Sequence, residues 1–368
     1  MKIFNTLLEQ IEKNYNKKKN GGVTSISPPF PRLSEKYPGW VKGRYTIITA
    51  STGAGKTKIA KFFAVTSIYN FIKTNPTIKA KIFYFALEES KDSFWLSIMS
   101  TLLFERYNIV ISPSEILSLG KHNQIDIDLI NKIKTIEHEI NDMENYIDVI
   151  DHVYNPYGIY KHVRDWFYSS KIGYFEKMEI NGELVDGKFN YYDENQYVFV
   201  ITDHISLLKS ELNAKFSQQN SLHETMLHFS QEYCLNQFSK RLGIVTINIQ
   251  QQAADKEKQE FYKGASIDKK LEPSLDGLAD NKLTSRDCDL VLGLFAPTRY
   301  ELPQYRGYDI NRLKDKYRCL IFLKDRHFGL ANNYVSLYFN GATNIMKELP
   351  LKEHMTDEIY EQISNNKY

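Results

Sequence analysis

The residues between positions 50 and 57 have the types and spacing of a loop that binds nucleotide phosphates. They read Ala50, Ser51, Thr52, Gly53, Ala54, Gly55, Lys56 and Thr57. The two glycines let backbone N–H groups curl around phosphate oxygens, and a following helix adds the positive end of its dipole. The Lys56 ammonium suits the β- and γ-phosphates, and the Thr57 hydroxyl suits Mg²⁺. We therefore predict ATP and Mg²⁺ as ligands, with an accidental glycine-rich turn as the weaker interpretation.

Two other apolar segments end in carboxylates that such chemistry requires. The segment 197–202 ends at Asp203, which suits the second magnesium contact, although a helix N-cap is a compatible interpretation. The segment 81–87 ends at Glu88 and Glu89. Because ligands of doubly wound sheets bind at the carboxyl ends of the strands, we predict Glu88 as the general base. Glu89 is the second choice, with helix capping as its structural alternative.

A third apolar segment, 244–249, ends in glutamines. Gln250 is predicted to sense the γ-phosphate, but Gln251 and Gln252 follow directly, so the choice depends on the strand register. A solvated loop position is an equal alternative for each of the three glutamines.

The chain that carries these residues alternates short apolar runs with helical patterns from Tyr45 onward. That alternation predicts an α/β fold with a mostly parallel twisted sheet flanked by helices. The predicted strands are 45–49, 82–86, 147–150, 198–202, 244–249, 290–295, 319–323 and 335–339, and the clearest predicted helices are 56–73, 91–107, 127–145, 157–168 and 222–242. Asn181-Gly182 predicts a β-hairpin inserted at 174–196, with a second turn beginning at Asp186-Gly187.

The ends of the chain give three expected regions. Residues 1–22 should form an amphipathic helix over 2–15 and a flexible linker from Lys17, residues 23–350 the nucleotide-binding domain, and residues 351–368 a helical tail. The chain has 368 residues, a formal charge of +2 and three separated cysteines. These values predict a protein without a disulfide framework, a zinc pattern or a membrane segment, located in the cytoplasm or, for a viral protein, the host cytoplasm.

These motifs together resemble the DnaB-type replicative helicases, a branch of the RecA-like hexameric motors, over roughly residues 20–345. Residues 85–88 resemble the catalytic-Glu element, and residues 202–206 resemble the Walker B segment of phage-type helicases. Residues 323–329 resemble the K-x-R element that reaches a neighbouring subunit. By that resemblance Arg326 is an arginine finger and Lys324 its companion. The alternative is a solvated basic strand end.

The resemblance also implies loops that bind single-stranded DNA at the centre of a ring. The predicted DNA-binding lysines lie in the segments 209–219 and 253–270, and they are Lys209, Lys215, Lys256, Lys258, Lys263, Lys269 and Lys270. Four acidic residues dilute the second segment, so a solvated loop is an equal interpretation for any single lysine.

The implied function is an ATP-driven helicase or single-stranded DNA translocase that acts as a ring, expected to be a hexamer, in DNA replication. Fewer than fifty residues precede the phosphate loop, so we expect the motor without the family's N-terminal domain, and a primase or loader as a separate partner. In the family an N-terminal helix packs on the adjacent subunit. Two alternatives remain open: a KaiC-like signalling ATPase, which the Glu88-Glu89-Ser90 run also resembles, and a recombination-type RecA-like ATPase that binds DNA without unwinding it.

Overall fold

The computed structural model describes all residues except 1–2, 120–123, 211–221, 254–260, 263–264 and 267–270. Its main feature is a nine-stranded sheet, counted over those described residues. In chain order the strands are β1 (Tyr45–Ala50), β2 (Lys79–Ala86), β3 (Ile147–Ile150), β4 (Gln196–Asp203), β5 (Val245–Gln251), β6 (Leu290–Phe295), β7 (Tyr317–Asp325), β8 (Tyr334–Phe339) and β9 (Met346–Glu348).

The sheet is parallel over six strands and antiparallel at one side. Its order is β9-β8-β7-β6-β1-β5-β4-β2-β3. The strands from β6 to β3 in that order are parallel, and β7, β8 and β9 add antiparallel pairs beside β6. All residues of β1, β4 and β6 are buried, as expected for strands covered on both faces. The predicted α/β class and mostly parallel sheet are therefore confirmed.

Helices cover both faces of the sheet and two hydrophobic cores fill the space between the layers. The α-helices span Ile3–Lys19, Pro31–Ser34, Lys56–Lys61, Ser67–Thr74, Lys91–Tyr107, Pro113–Ile116, Ile127–Thr135, Glu137–Tyr146, Pro156–Ser169, Leu222–His228, Thr284–Asp287, Ile310–Leu313 and Asp357–Ser364. The π-helical segments Phe62–Thr66 and Phe229–Arg241 continue two of them, and short 3₁₀ turns span Ile205–Leu207, Pro297–Tyr300, Lys314–Lys316 and Lys352–His354. Within the described part of the chain, no helix is long and apolar enough to cross a membrane.

The inserted hairpin is present, with strands Gly173–Ile180 and Glu183–Tyr191. Asn181 (φ 54°) and Gly182 (φ 83°) form its turn, because the tight two-residue connection requires positive φ at both positions. The second turn predicted at Asp186-Gly187 is wrong. Both residues lie inside the second strand, where Gly187 and Lys188 together oppose Glu176 as a bulge, since Phe175 pairs with Phe189 and Lys177 pairs with Asp186. Further short pairings join Phe261–Tyr262 to Ala265–Ser266, Gln304–Tyr305 to Tyr308–Asp309, and Ile26 to Trp40.

The N-terminal helix is longer than its sequence pattern predicts. It continues through Lys19, so the lysines expected to begin a flexible linker form its last turn instead. Cations near the C-terminal end of a helix are favoured by its dipole, which explains the extension. The predicted helix 127–145 is interrupted at Ile136, which is buried and leaves two shorter helices.

Candidate active site

The predicted nucleotide-site residues lie at the carboxyl ends of the parallel strands. Ala50 ends β1, Ala86 ends β2, Asp203 ends β4 and Gln251 ends β5. The register places Ala86 opposite Asp203 and Ala50 opposite Gln251. Four strand ends therefore meet along one edge of the sheet, which we call the nucleotide edge, where ligands of open α/β sheets bind.

Two glycines shape the phosphate loop, and an aromatic ring packs against it. Gly53 (φ 73°) and Gly55 (φ 104°) both have left-handed backbone conformations that favour glycine. A Cβ built on Gly55 would lie 3.2 Å from the Phe339 ring. Arg318 donates a hydrogen bond to the Ala54 carbonyl at 2.7 Å, and its guanidinium lies 4.3 Å from the centroid of the Phe339 ring. The loop is thus fixed by β7 and β8, and the helix that follows begins at its lysine.

Asp203 is placed to hold a cation together with Thr57. Its Oδ2 accepts a hydrogen bond from the Tyr84 hydroxyl at 2.8 Å, and the Thr57 hydroxyl also donates to this carboxylate. Its Oδ1 is buried and has no partner in the described protein. Burial raises the pKa of Asp203 above its ordinary value because the charged form is desolvated. An orphaned carboxylate oxygen beside a threonine hydroxyl gives the hard oxygen ligands that Mg²⁺ prefers, so these residues fit the ion.

The two consecutive glutamates have different environments. Glu88 has a side chain that is 55% exposed at the nucleotide edge, and its Oε2 lies 3.6 Å from Nε2 of His204. Glu89 turns away, with a side chain only 20% exposed, and accepts a hydrogen bond from the buried Lys61 ammonium at 2.7 Å. Burial raises the pKa of Glu89 although Lys61 opposes that shift. Glu88 is therefore the carboxylate with access to a water molecule, and Glu89 is engaged in the core.

His204 follows Asp203 and completes this group. Its side chain is largely buried, and its Nδ1 has no partner in the described protein. Burial and the nearby Lys56 charge lower the pKa of His204, so the imidazole is neutral near pH 7. Lys56 itself is nearly buried.

The structure does not bring Gln250 to the phosphate loop. Its side chain is buried on the other face of β5, where its amide donates to the carbonyls of Ala279 (2.7 Å) and Asn281 (2.8 Å) and accepts from Thr284. Gln251, one residue on, instead donates a hydrogen bond to the Thr52 hydroxyl. Gln251 rather than Gln250 is therefore the glutamine whose side chain contacts the phosphate loop, because side chains alternate along a strand and β5 extends one residue further than its apolar run.

Lys324 and Arg326 lie at the opposite edge of the sheet. Asp325 pairs with Leu290, the first residue of β6, and Leu290 also pairs with Thr46 near the start of β1. The Lys324 ammonium donates to the Cys288 carbonyl at 2.7 Å, and Arg326 donates to the Arg286 carbonyl. The Arg326 side chain is 42% exposed. Both cations therefore face away from the phosphate loop of their own chain.

Residues 297–300, which the sequence did not single out, also approach the loop. A Cβ on Gly53 would clash with the Arg299 guanidinium, and the Tyr300 hydroxyl lies 3.1 Å from the Ser51 hydroxyl. No motif marks these positions, since the loop after β6 reaches the site only through the fold.

Of the predicted DNA-binding lysines, the structure describes one. Lys209 is exposed, and its ammonium lies 4.7 Å from the centroid of the Tyr154 ring. Lys215, Lys256, Lys258, Lys263, Lys269 and Lys270 lie outside the described residues.

The fold and the phosphate loop define this chain as an α/β protein of the P-loop class with a RecA-like sheet. No protein-family profile matches the sequence, and no curated protein matches it. Among solved structures, it is similar to a DnaB-like replicative helicase studied with its primase interactions, with a TM-score of 0.64 and 17% identity over 95% of this chain and 67% of that one.

The ATPase domain of a phage helicase is similar to the same degree, with a TM-score of 0.64 and 15% identity over 95% of this chain and all (100%) of that chain. A KaiC-like protein from the hyperthermophilic archaeon Pyrococcus horikoshii has a TM-score of 0.44 and 13% identity, over 89% of this chain and 98% of that chain. The chain thus has the RecA-like fold of DnaB-type helicase ATPase domains, as the resemblance of its motifs predicts.

Proposed function

We propose that this chain is the ATP-hydrolysing motor of a ring-shaped DNA helicase or single-stranded DNA translocase, a hexamer by its family resemblance, that works in DNA replication. The observation that carries the proposal is the position of the two halves of the site. Lys56, Thr57 and Asp203 lie at the nucleotide edge, whereas Lys324 and Arg326 lie at the opposite edge, where the Arg326 side chain is exposed. A subunit built in this way completes its site only with the cations of a neighbour.

The chain's own residues supply most of the hydrolytic chemistry in this proposal. Glu88 accepts a proton from the attacking water, since its carboxylate is exposed at the nucleotide edge while Glu89 is engaged with Lys61. Lys56 binds the β- and γ-phosphates, and backbone N–H groups of the phosphate loop hold them in place. Gln251 contacts Thr52 of the loop, so it is positioned to respond to the terminal phosphate.

Thr57 and Asp203 would hold Mg²⁺, with the free Oδ1 of Asp203 as a ligand or as an acceptor for a coordinated water. The bound ion would neutralise the charge that develops on the phosphates. His204, neutral near pH 7, lies beside Glu88 and helps to orient that carboxylate.

The N-terminal helix supports ring assembly. Among the residues that the structure describes, its apolar side chains are largely exposed: Phe4 is 67% exposed, Leu7 55%, Ile11 65% and Tyr15 63%. A contiguous apolar stripe of this kind normally marks an interface. We propose that it packs against the adjacent subunit, so that each motor domain is tied to the next one around the ring.

The ATP hydrolysis and DNA dependence are tested together on purified protein. Single-stranded DNA should raise the turnover of ATP in the presence of Mg²⁺, and the protein should displace a strand from a forked duplex. Lys56→Ala, which removes the phosphate-binding charge, is the matched control and should show neither activity. If single-stranded DNA neither binds nor changes the turnover of an active ATPase, a signalling ATPase replaces the helicase in this proposal.

The solved helicase with 17% identity was studied together with primase. By that likeness we propose a primase or a loader as a separate partner of this chain. We also propose that the chain acts in the cytoplasm of its cell or of a viral host. A pull-down of the assembled ring with the primase encoded nearest to it would test that partnership.

A further inference from the structure

A cleft of about 510 Å³ lies at the edge of the sheet opposite the phosphate loop. Four separate parts of the chain form it: the polar face of the N-terminal helix, the loop before β1, the second strand of the hairpin, and the end of the π-helical segment before β5. Its charged lining residues, within the described part of the chain, are Lys13, Lys17, Lys42, Lys188, Lys240 and Glu194. One carboxylate therefore faces five lysines, and we call this site the lysine cleft.

The fold pairs only part of the charge in this cleft: Lys13 has a carboxylate partner and Lys42 lies over the rings of Tyr191 and Tyr197, which leaves an excess of lysines. Glu194 is engaged by Lys13, and the neighbouring Asp193 pairs with Lys79 at 2.9 Å. The Lys42 ammonium has only a backbone carbonyl, that of Glu194, as its hydrogen-bond acceptor at 2.8 Å. Burial, followed by the charge of Lys17, lowers the pKa of Lys42 to about 8. Crowded ammonium groups of this kind are stabilised by a bound anion.

The hairpin continues the cleft as a strip of aromatic and polar side chains. Because side chains alternate along a strand, Lys188, Asn190 and Tyr192 share one face of it, and Phe189 packs into the core on the other face. Tyr174 is paired opposite Asn190. The rings of Tyr174 and Tyr192 lie 5.8 Å apart, and both are exposed, by 53% and 69%.

The strip is about 13 Å long from Lys188 to Tyr192, at roughly 3.3 Å per residue. It combines cations, an amide and two adjacent exposed phenol rings. Cations along a backbone path with aromatic rings for stacking are the two parts of a sequence-tolerant single-strand site. An acidic peptide would use the lysines but would leave the two rings without a role.

We propose that the lysine cleft is a second binding site for single-stranded nucleic acid, with the phosphodiester backbone along the lysines and the bases stacked on Tyr174 and Tyr192. It is separate from the loops predicted to line the centre of the ring, and it lies across the sheet from the phosphate loop. Each subunit carries a complete copy of the cleft, so binding there requires neither ATP nor a neighbour. The hairpin thereby acquires a function that the motor itself does not explain.

The test measures the affinity of the full chain, without nucleotide, for a short labelled oligothymidylate over a range of salt concentrations. The variant carries Lys17→Gln, Lys188→Gln and Lys240→Gln together. Each lost phosphate contact lowers the slope of log affinity against log salt by about 0.7, so three contacts lower it by about 2, and affinity at 0.1 M salt falls roughly 100-fold. Tyr192→Ala should lower affinity roughly tenfold and leave the salt slope unchanged, because it removes stacking and no charge.

The control variant carries Lys134→Gln, Lys352→Gln and Lys367→Gln, three exposed lysines that do not line the cleft. It should bind as the unchanged protein does. An unchanged salt slope in the cleft variant overturns the proposal. Competition by polyglutamate combined with an unaltered affinity in Tyr192→Ala overturns it in favour of an acidic protein partner. DNA-stimulated ATP turnover is measured in parallel on every variant, because that activity depends on the ring centre and reports separately on the helicase proposal.

Discussion

Arg326→Ala is the substitution that most directly tests whether two subunits share each site. Arg326 lies at the base of β6, since its N–H bonds to the Asp289 carbonyl at 3.0 Å, and β6 is paired in register with β1. From Thr46, which is opposite the first residue of β6, four residues of strand lead to Ala50. At roughly 3.3 Å per residue they cover about 13 Å before the phosphate loop even begins. The Arg326 side chain also points away from that loop, so in the proposed ring it would serve a neighbour's site.

The expected loss follows from what such a cation does in phosphoryl transfer. Arg326→Ala should lower the turnover of ATP by roughly 10³- to 10⁵-fold. Nucleotide affinity should change little, because Lys56, the loop glycines and Asp203 belong to the other edge of the same chain. Arg312→Ala, which removes an arginine whose side chain is paired with Asp357, is the control and should leave turnover unchanged.

The assay mixes two inactive proteins. Glu88→Gln removes the proposed general base, and Arg326→Ala removes the proposed finger. In a head-to-tail ring assembled from equal parts, about one interface in four joins an intact Glu88 to an intact Arg326. ATP turnover should therefore recover to roughly a quarter of the unchanged protein's value, provided that the two proteins are mixed before assembly.

Two results would refute this reasoning. A mixture no more active than its two components would show that the finger does not act between subunits. Loss of nucleotide binding in Arg326→Ala alone would show that this residue maintains the structure of its own site.

Three further predictions concern single groups. Gln250→Ala should destabilise the fold by about 1–3 kcal/mol in urea unfolding, because it leaves buried carbonyls unsatisfied. Gln251→Ala should unfold like the unchanged protein and show a lower kcat. A lower kcat in Gln250→Ala together with a loss of stability in Gln251→Ala would contradict the choice of Gln251. Asp203→Asn should bind ATP as well as the unchanged protein in excess chelator but should lose the gain in affinity that Mg²⁺ brings, measured by titration of a fluorescent nucleotide. Lys42 has a lowered pKa of about 8, so it is mainly charged at pH 7 and mainly neutral at pH 9. The oligothymidylate affinity of the lysine cleft should therefore fall over that range, and Lys42→Gln should flatten the pH profile; an unchanged profile in that variant would contradict the prediction.

The sequence predicts the part of the site that depends on residues close together along the chain. A phosphate loop needs consecutive residues between a strand and a helix, and Asp203 and Glu88 each end an apolar run, so short-range patterns identify all three. Buried parallel strands read as continuous apolar runs, which is why most strand positions were also found. The hairpin turn was predictable because Asn181-Gly182 is among the few dipeptides that adopt its backbone conformation.

Other features depend on contacts between distant segments, and no local pattern reports them. Three consecutive glutamines end β5, and only the pairing of Gln251 with Ala50 decides which one faces the loop. The helix predicted over 127–145 is interrupted at Ile136, where φ is −91° and ψ is 0°, and no helix-breaking residue marks that position in the sequence. Arg318 and Phe339 support the phosphate loop from strands that lie far away in the chain, and the lysine cleft combines four segments that meet only in the folded protein.

The placement of donor and acceptor groups at opposite edges of one sheet also restricts which assemblies can form. A two-fold dimer makes each contact twice, from residue i of one subunit to residue j of the other and from j to i, so it could complete both sites only with the two sheets antiparallel. In a ring, a head-to-tail arrangement would match the proposed finger Arg326 to a neighbour's Lys56. Such an arrangement has a sense of rotation: each subunit receives a cation from one side and gives one to the other. In the proposed ring, a change at one site would therefore pass along the sheet to the next subunit in a single direction, and an assembly that failed to close would grow as a helical filament with that same polarity.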